Sequence, residues 1–264
     1  MGRVKTALRR AGLPGLASLG LLGSAVWLGL AQAAPLPSVD MYVAEAPPLS
    51  MVQEGSRHGI VGDITLKAAS LAGYDLHLMS LPWSRAQHTV QMNDNQLIIP
   101  LSRTAEREAL YTWIAPVLTL DRAFFSLDEP VHSYEQARTT YRRIGVGLGS
   151  AQAQELSAHG FAPEQIYLLK IGENPAQMLL LGRIDAWFNG ISEARYIWRQ
   201  VSTRPLRASP VLMTTDVYLA CSKNCDAVMI QRFKAAIEVL RNDGTIRRVA
   251  NAYLDDPSGP QVVR

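Results

Sequence analysis

The chain repeats one rhythm twice: short apolar runs alternate with amphipathic segments, first over residues 41–99 and again over residues 144–200. Such alternation builds α/β layers. In the first block, residues 41–44, 74–79 and 96–99 read as strands, with Gly59–Ala72 and Trp83–Met92 as helices. The first of these helices stops at Gly73, a suitable C-cap. In the second block, residues 144–146, Ile166–Leu169 and residues 184–188 read as strands, with helices after Ser150, over 175–181 and over 192–200. An extended apolar strand, 122–127, lies between the blocks, and another, 211–220, follows them. Two helices, 227–241 and Thr245–Leu254, close the chain. Two α/β units joined by two extended crossings imply that the second is inserted into the first, with a cleft between them. Small ligands bind at such interfaces. The expected fold is therefore α/β and two-lobed, with residues 34–124 and 216–264 in one lobe and 125–215 in the other.

Residues 1–33 are expected to be an export signal outside that fold. Arg3, Lys5, Arg9 and Arg10 form a basic n-region, an uncharged apolar stretch follows from Leu13 to Leu30, and Ala31-Gln32-Ala33 supplies a small-x-small cleavage site. The apolar stretch is rich in glycine and interrupted by Pro14, which argues against a membrane anchor. The formal charge of +3 includes those four basic side chains and no acidic ones from the segment, so it falls to −1 on cleavage. No strong positive field remains to attract nucleic acid. The expected product is a monomer in the periplasm.

Cys221 and Cys225, the only two cysteines, lie four positions apart. They could close a small disulfide loop, but without a histidine pair they do not read as a metal site. His58, His77, His88, His132 and His159 are scattered without metal-ligand spacing. The spacing Gly145-x-Gly147-x-Gly149 is wrong for a dinucleotide loop. No cofactor is expected.

Five stretches carry a family resemblance: Gly62-Asp63-Ile64; Pro82-Trp83-Ser84-Arg85-Ala86; Ser102-Arg103-Thr104-Ala105-Glu106-Arg107-Glu108; Leu181-Gly182-Arg183-Ile184-Asp185-Ala186-Trp187; and a C-terminal run from Phe233 through Asp243-Gly244-Thr245-Ile246 to Tyr253-Leu254. In this order they resemble family 3 of the bacterial extracellular solute-binding proteins, the polar amino-acid binders with the type II periplasmic-binding fold. The resemblance implies that Arg107, the arginine of a Thr-x-x-Arg element, grips the carboxylate of a small ligand. A guanidinium fork matches both carboxylate oxygens. The alternative is an ion pair with Glu106 or Glu108. Ser102 would add its N–H and hydroxyl, and Trp83 would lie against the ligand's side chain or stem. From the other lobe, Ser150, Ala151 and Gln152 open a helix whose free N–H groups attract an anion. Arg85 could face the cleft or tie its helix to the rim, and Glu45 is placed to receive a cationic group.

One departure from the family stands out. Many relatives carry an aspartate that binds the ligand's α-ammonium, and the matching position here is Gly190. The ligand therefore lacks an α-amino group, or Glu45 or Asn189 replaces the missing partner. The leading expectation is a binding protein rather than an enzyme: it captures a carboxylate-bearing solute and delivers it to an ABC-transporter permease in the inner membrane. The alternatives are a dehydratase of the cyclohexadienyl type, with Glu173 or Glu45 as the acid, and a ligand-binding partner of a membrane receptor.

Overall fold

The computed structural model describes residues 35–52, 56–169 and 173–254. The expected export signal lies outside the described residues. The first half comprises β1 (Ser38–Val43), α1 (Gly59–Ala72), β2 (Asp75–Ser80), α2 (Trp83–Met92) and β3 (Leu97–Ser102). A long strand, β4 (Thr112–Ser126), leads into α3 (Tyr134–Thr140), β5 (Ile144–Gly147), α4 (Ala151–Ala158), β6 (Ile166–Leu169), α5 (Pro175–Leu180), β7 (Ala186–Gly190) and α6 (Ile191–Val201). The chain returns through β8 (Arg207–Ala208) and β9 (Met213–Cys221) and ends in α7 (Ala227–Asn242) and α8 (Thr245–Leu254).

The sheet order is β2-β1-β3-β9-β4-β7-β5-β6, with β8 beside β4. β1 is parallel to both of its neighbours, as is β5, so each half has the wiring of an α/β unit. β4 and β9 are antiparallel to each other and join the halves.

Their burial shows how they cross. Ile114, Val117 and Leu120 of β4 pack in a core with Met41, Ile64, Leu97 and Phe233. Phe124, farther along the same strand, packs instead with Ile144, Val146 and Phe188. Phe125, on the opposite face, packs with Trp187 and Trp198. β9 makes the reverse journey: Met213 belongs to the Phe124 core, whereas Val217 and Leu219 belong to the Met41 core. The result is the expected α/β, two-lobed architecture with the second lobe inserted and two crossings. Arg122 sits where β4 leaves one core and enters the other.

β4 begins ten residues before the expected strand. Its register shifts between Trp113 and Ala115 and again between Pro116 and Leu118, so its early part has no clean two-residue alternation to read. α3 has no counterpart in the apolar pattern, because it is short and polar and starts on a local cap in which Ser133 Oγ accepts from the N–H of Gln136 at 3.1 Å. β7 starts at Ala186 rather than 184, since Asp185 Oδ2 accepts the N–H groups of Arg142 and Arg143 at 2.7 and 2.9 Å just before it.

Two ties hold the first lobe's ends. Tyr253 of α8 accepts the N–H of Gly59 at 3.0 Å and donates to Asp63 Oδ2 at 2.7 Å, so the last helix secures the start of α1. Cys221 and Cys225 are joined in a disulfide at the end of β9.

Candidate functional site

A cavity of about 730 Å³ lies between the lobes, within the size range of small-molecule sites. Its first-lobe wall comes from the loop after β1, the start of α2 and the end of β3; its second-lobe wall comes from the loop before α4, the end of β7 and the first turn of α6.

Eight of the nine expected ligand residues line it: Glu45, Trp83, Ser102, Arg107, Ser150, Ala151, Gln152 and Asn189. Arg85 does not. It is exposed on α2 and absent from the lining, because it falls on the opposite side of the helix from buried Ala86 and Val90.

Arg107 ends a single 3-10 turn, Ala105–Arg107, behind β3 and is only 4% exposed. Its Nη1 donates to Ser102 O at 3.2 Å and its Nη2 to Gly149 O at 2.9 Å, in the opposite lobe. Gln87 Nε2 donates to the same carbonyl at 3.0 Å. A single second-lobe oxygen thus accepts two first-lobe side chains. Gly149 suits this contact on two counts. Its φ of +74° is left-handed, and a Cβ there would lie 2.7 Å from Ser84 Oγ.

The alternative ion pair for Arg107 does not form. Glu108 instead receives exposed Arg103, whose Nε donates to Oε2 at 2.9 Å. Among the described residues no carboxylate lies within 4.0 Å of Arg107, and burial lowers the basicity of its guanidinium. Two carbonyl bonds leave three of the five guanidinium N–H groups for a further acceptor.

On the facing wall, Ser150 caps α4, its Oγ accepting from the N–H of Ala153 at 3.3 Å. The earlier amides of the first turn have no intrahelical acceptor. Gln152 Nε2 donates to Asn189 Oδ1 at 2.9 Å, fixing the two side chains against each other. Glu45 is exposed at the rim, where its Oε1 accepts from the N–H of Val52 at 2.7 Å. Glu173 accepts from Tyr167 Oη at 3.0 Å.

Sequence reasoning missed two charged residues in this cavity. Arg122, 2% exposed, donates through Nη2 to Ser102 Oγ and through Nη1 to Thr215 Oγ1, both at 2.7 Å, while its Nε has no partner. Ser102 therefore receives two guanidinium groups, one on its carbonyl and one on its hydroxyl. Glu193, in the first turn of α6, also lines the cavity. Burial raises its carboxyl to about 7, against the opposing pull of Arg122. The signals were present in the chain: Asp121-Arg122 interrupts an apolar run, and Glu193 lies one helical turn past Gly190.

A family model, "Bacterial extracellular solute-binding proteins, family 3", matches residues 41–256. The chain belongs to that family. Solved structures agree on the fold. A histidine kinase sensor domain with similarity to periplasmic binding proteins superposes with a TM-score of 0.74 at 16% identity, covering 83% of this chain and 97% of that one. The arginine-, lysine-, histidine-binding protein ArtJ from Geobacillus stearothermophilus gives 0.71 at 17% identity, covering 82% and 94%. EhuB in complex with hydroxyectoine gives 0.72 at 17%, covering 82% and 88%. A search of curated protein sequences finds no match. Among the described residues of this member, no helix is long and apolar enough to cross a membrane and no cluster of metal-ligating side chains occurs.

Proposed function

We propose that this family 3 protein is exported to the periplasm, captures a small carboxylate-bearing solute between its lobes, and delivers it to an ABC-transporter permease. The observation that carries the reading is Arg107, buried in the cavity wall beside Ser102 with no carboxylate among the described residues to neutralise it. A buried guanidinium without an acid partner is costly unless an anion completes it. Ser102 on the same wall and the first turn of α4 across the cavity supply uncharged donors to the same anion. The lobes divide near residues 124 and 216 and close about β4 and β9, which brings Gly149 onto Arg107 and Gln87. Cleavage after Ala33 releases the mature chain.

Native mass spectrometry of the mature protein, followed by a thermal-shift screen of amino acids, amines and organic acids, tests this reading. A retained or stabilising compound should carry a carboxylate. Stabilisation by amines that lack one, and by nothing else, would overturn it. The histidine kinase sensor domain among the structural neighbours supports a second reading, in which the same lobes report ligand to a membrane receptor. Capture of a receptor rather than a permease from solubilised membranes would select it.

A further inference from the structure

Gly190 ends β7, and its φ of −59° and ψ of 136° suit any residue, so conformation does not require a glycine there. A Cβ at position 190 would nevertheless lie against Glu193 Oε2, the far end of a flexible side chain that would have to shift. The carboxylate of Glu193 therefore occupies the volume that a side chain at 190 would fill. Across the strand pair, Gly190 is the register partner of Arg122. Arg122 and Glu193 consequently face each other over the glycine, both lining the cavity.

The two groups attract each other electrostatically but form no hydrogen bond or close ion pair. Among the described residues, no hydrogen bond or ion pair reaches the Glu193 carboxylate, and no acid lies within 4.0 Å of Arg122. A glutamate at this position of a helix commonly caps its first turn, but no such bond forms here. The two other substitutes for the missing aspartate are already engaged: Asn189 Oδ1 with Gln152, and Glu45 Oε1 with the backbone of Val52.

We propose that Glu193 sets the cavity's choice of ligand: its carboxylate receives the cationic group of a zwitterion whose own carboxylate lies on Arg107. This rests on the carboxylate-binding reading of Arg107 and narrows the ligand to compounds carrying both charges. Burial holds the Glu193 carboxyl near neutral pH, opposed only by Arg122. Of the other charged groups, Arg107, Glu45 and Glu173 lie around the cavity; Glu155, Tyr134 and Asp121 act on Arg122. Arg195 and Arg199, also on α6, line a separate small pocket. A cationic ligand group stabilises the carboxylate, so binding strengthens as pH rises through about 7.

Calorimetry of the mature protein with paired probes tests this: L-leucine beside 4-methylpentanoate, L-glutamate beside glutarate, and L-lysine and L-arginine. The amino compounds alone should bind. Their affinity should climb up to about tenfold per pH unit between pH 6 and 7 and level off above, with proton release read from the dependence of the heat on buffer ionisation. Glu193→Gln should weaken binding about ten- to hundredfold at pH 8 and flatten the profile. Gly190→Ala, which keeps the glutamate but displaces it, should do the same. Equal binding of an amine-free acid and its amino partner, a pH-independent affinity in wild type, or no binding by any probe would overturn the proposal. Arg107→Ala separates the two readings. If an amine-free acid binds and this variant abolishes it, the carboxylate site stands and only the role of Glu193 falls. If a probe binds this variant as well as wild type, both fall.

Discussion

Two walls of one cavity carry its charges in different ways. On the β3 wall, Arg107 and Ser102 belong to a contiguous stretch of seven residues, and the backbone turn alone brings them together. On the hinge wall, Arg122 and Glu193 are 71 positions apart and meet because β4 pairs with β7 in the register Arg122↔Gly190. The first wall is a local motif and the second a product of topology. The first offers guanidinium donors already tied to carbonyls. The second holds a cation and an acid that do not satisfy each other. On the proposed reading, the β3 wall supplies general anion affinity and the hinge wall supplies selectivity.

If that division holds, the β3 wall should show the largest effect on mutation. Arg107→Ala strands a carboxylate in a largely dry cavity, a loss of about 3–5 kcal/mol, or hundreds-fold and more in affinity by calorimetry. Arg107→Lys should recover only part, because an ammonium lacks the planar fork. The equivalent change at exposed Arg103 should leave affinity within about twofold.

A smaller effect should come from the contact between lobes. In Gly149→Ala, a left-handed alanine costs about 1 kcal/mol whether the lobes are apart or together, and where they meet its Cβ would also press on Ser84 Oγ. Affinity should fall about tenfold while the empty protein loses little thermal stability; unchanged affinity would show that the Gly149 contact does not accompany capture.

A third effect concerns the hinge wall of the ligand-free protein. The folded protein holds the Glu193 proton up to about 7, whereas the unfolded chain releases it near 4.5. Native protein thus binds more protons across that window, and stability falls as pH rises from about 4.5 to about 7, with no further loss above. The melting temperature of wild type should therefore fall relative to that of Glu193→Gln, which stands in for the protonated acid, as pH rises through that range. Parallel curves would mean that Glu193 titrates as an ordinary exposed acid.

The same contrast explains what was legible in the sequence. The α/β rhythm, the inserted lobe and the order of elements were readable because burial imposes a local period on helices and strands. Arg107, Ser102 and the start of α4 were readable because their motifs are contiguous. Arg85, two residues past Trp83, was read as facing the cleft or tying its helix to the rim, and its place on the helix turns it to solvent. Arg122 and Glu193 were passed over because their local signals, a charged pair in an apolar run and an acid one turn past Gly190, acquire a meaning only when a strand register joins them. Gly190 was noticed as a missing acid. That its emptiness makes room for Glu193 required coordinates, since the relevant quantity is a collision between a strand end and a side chain one turn into the next helix.

The most direct test of the account is a crystal structure of the mature protein with the ligand identified by the screen. The ligand should lie between the lobes, its carboxylate on Arg107 and Ser102 and its cationic group on Glu193, with Gly149 drawn onto Arg107 and Gln87. A ligand seated elsewhere, or one whose carboxylate avoids Arg107 inside this cavity, would contradict it.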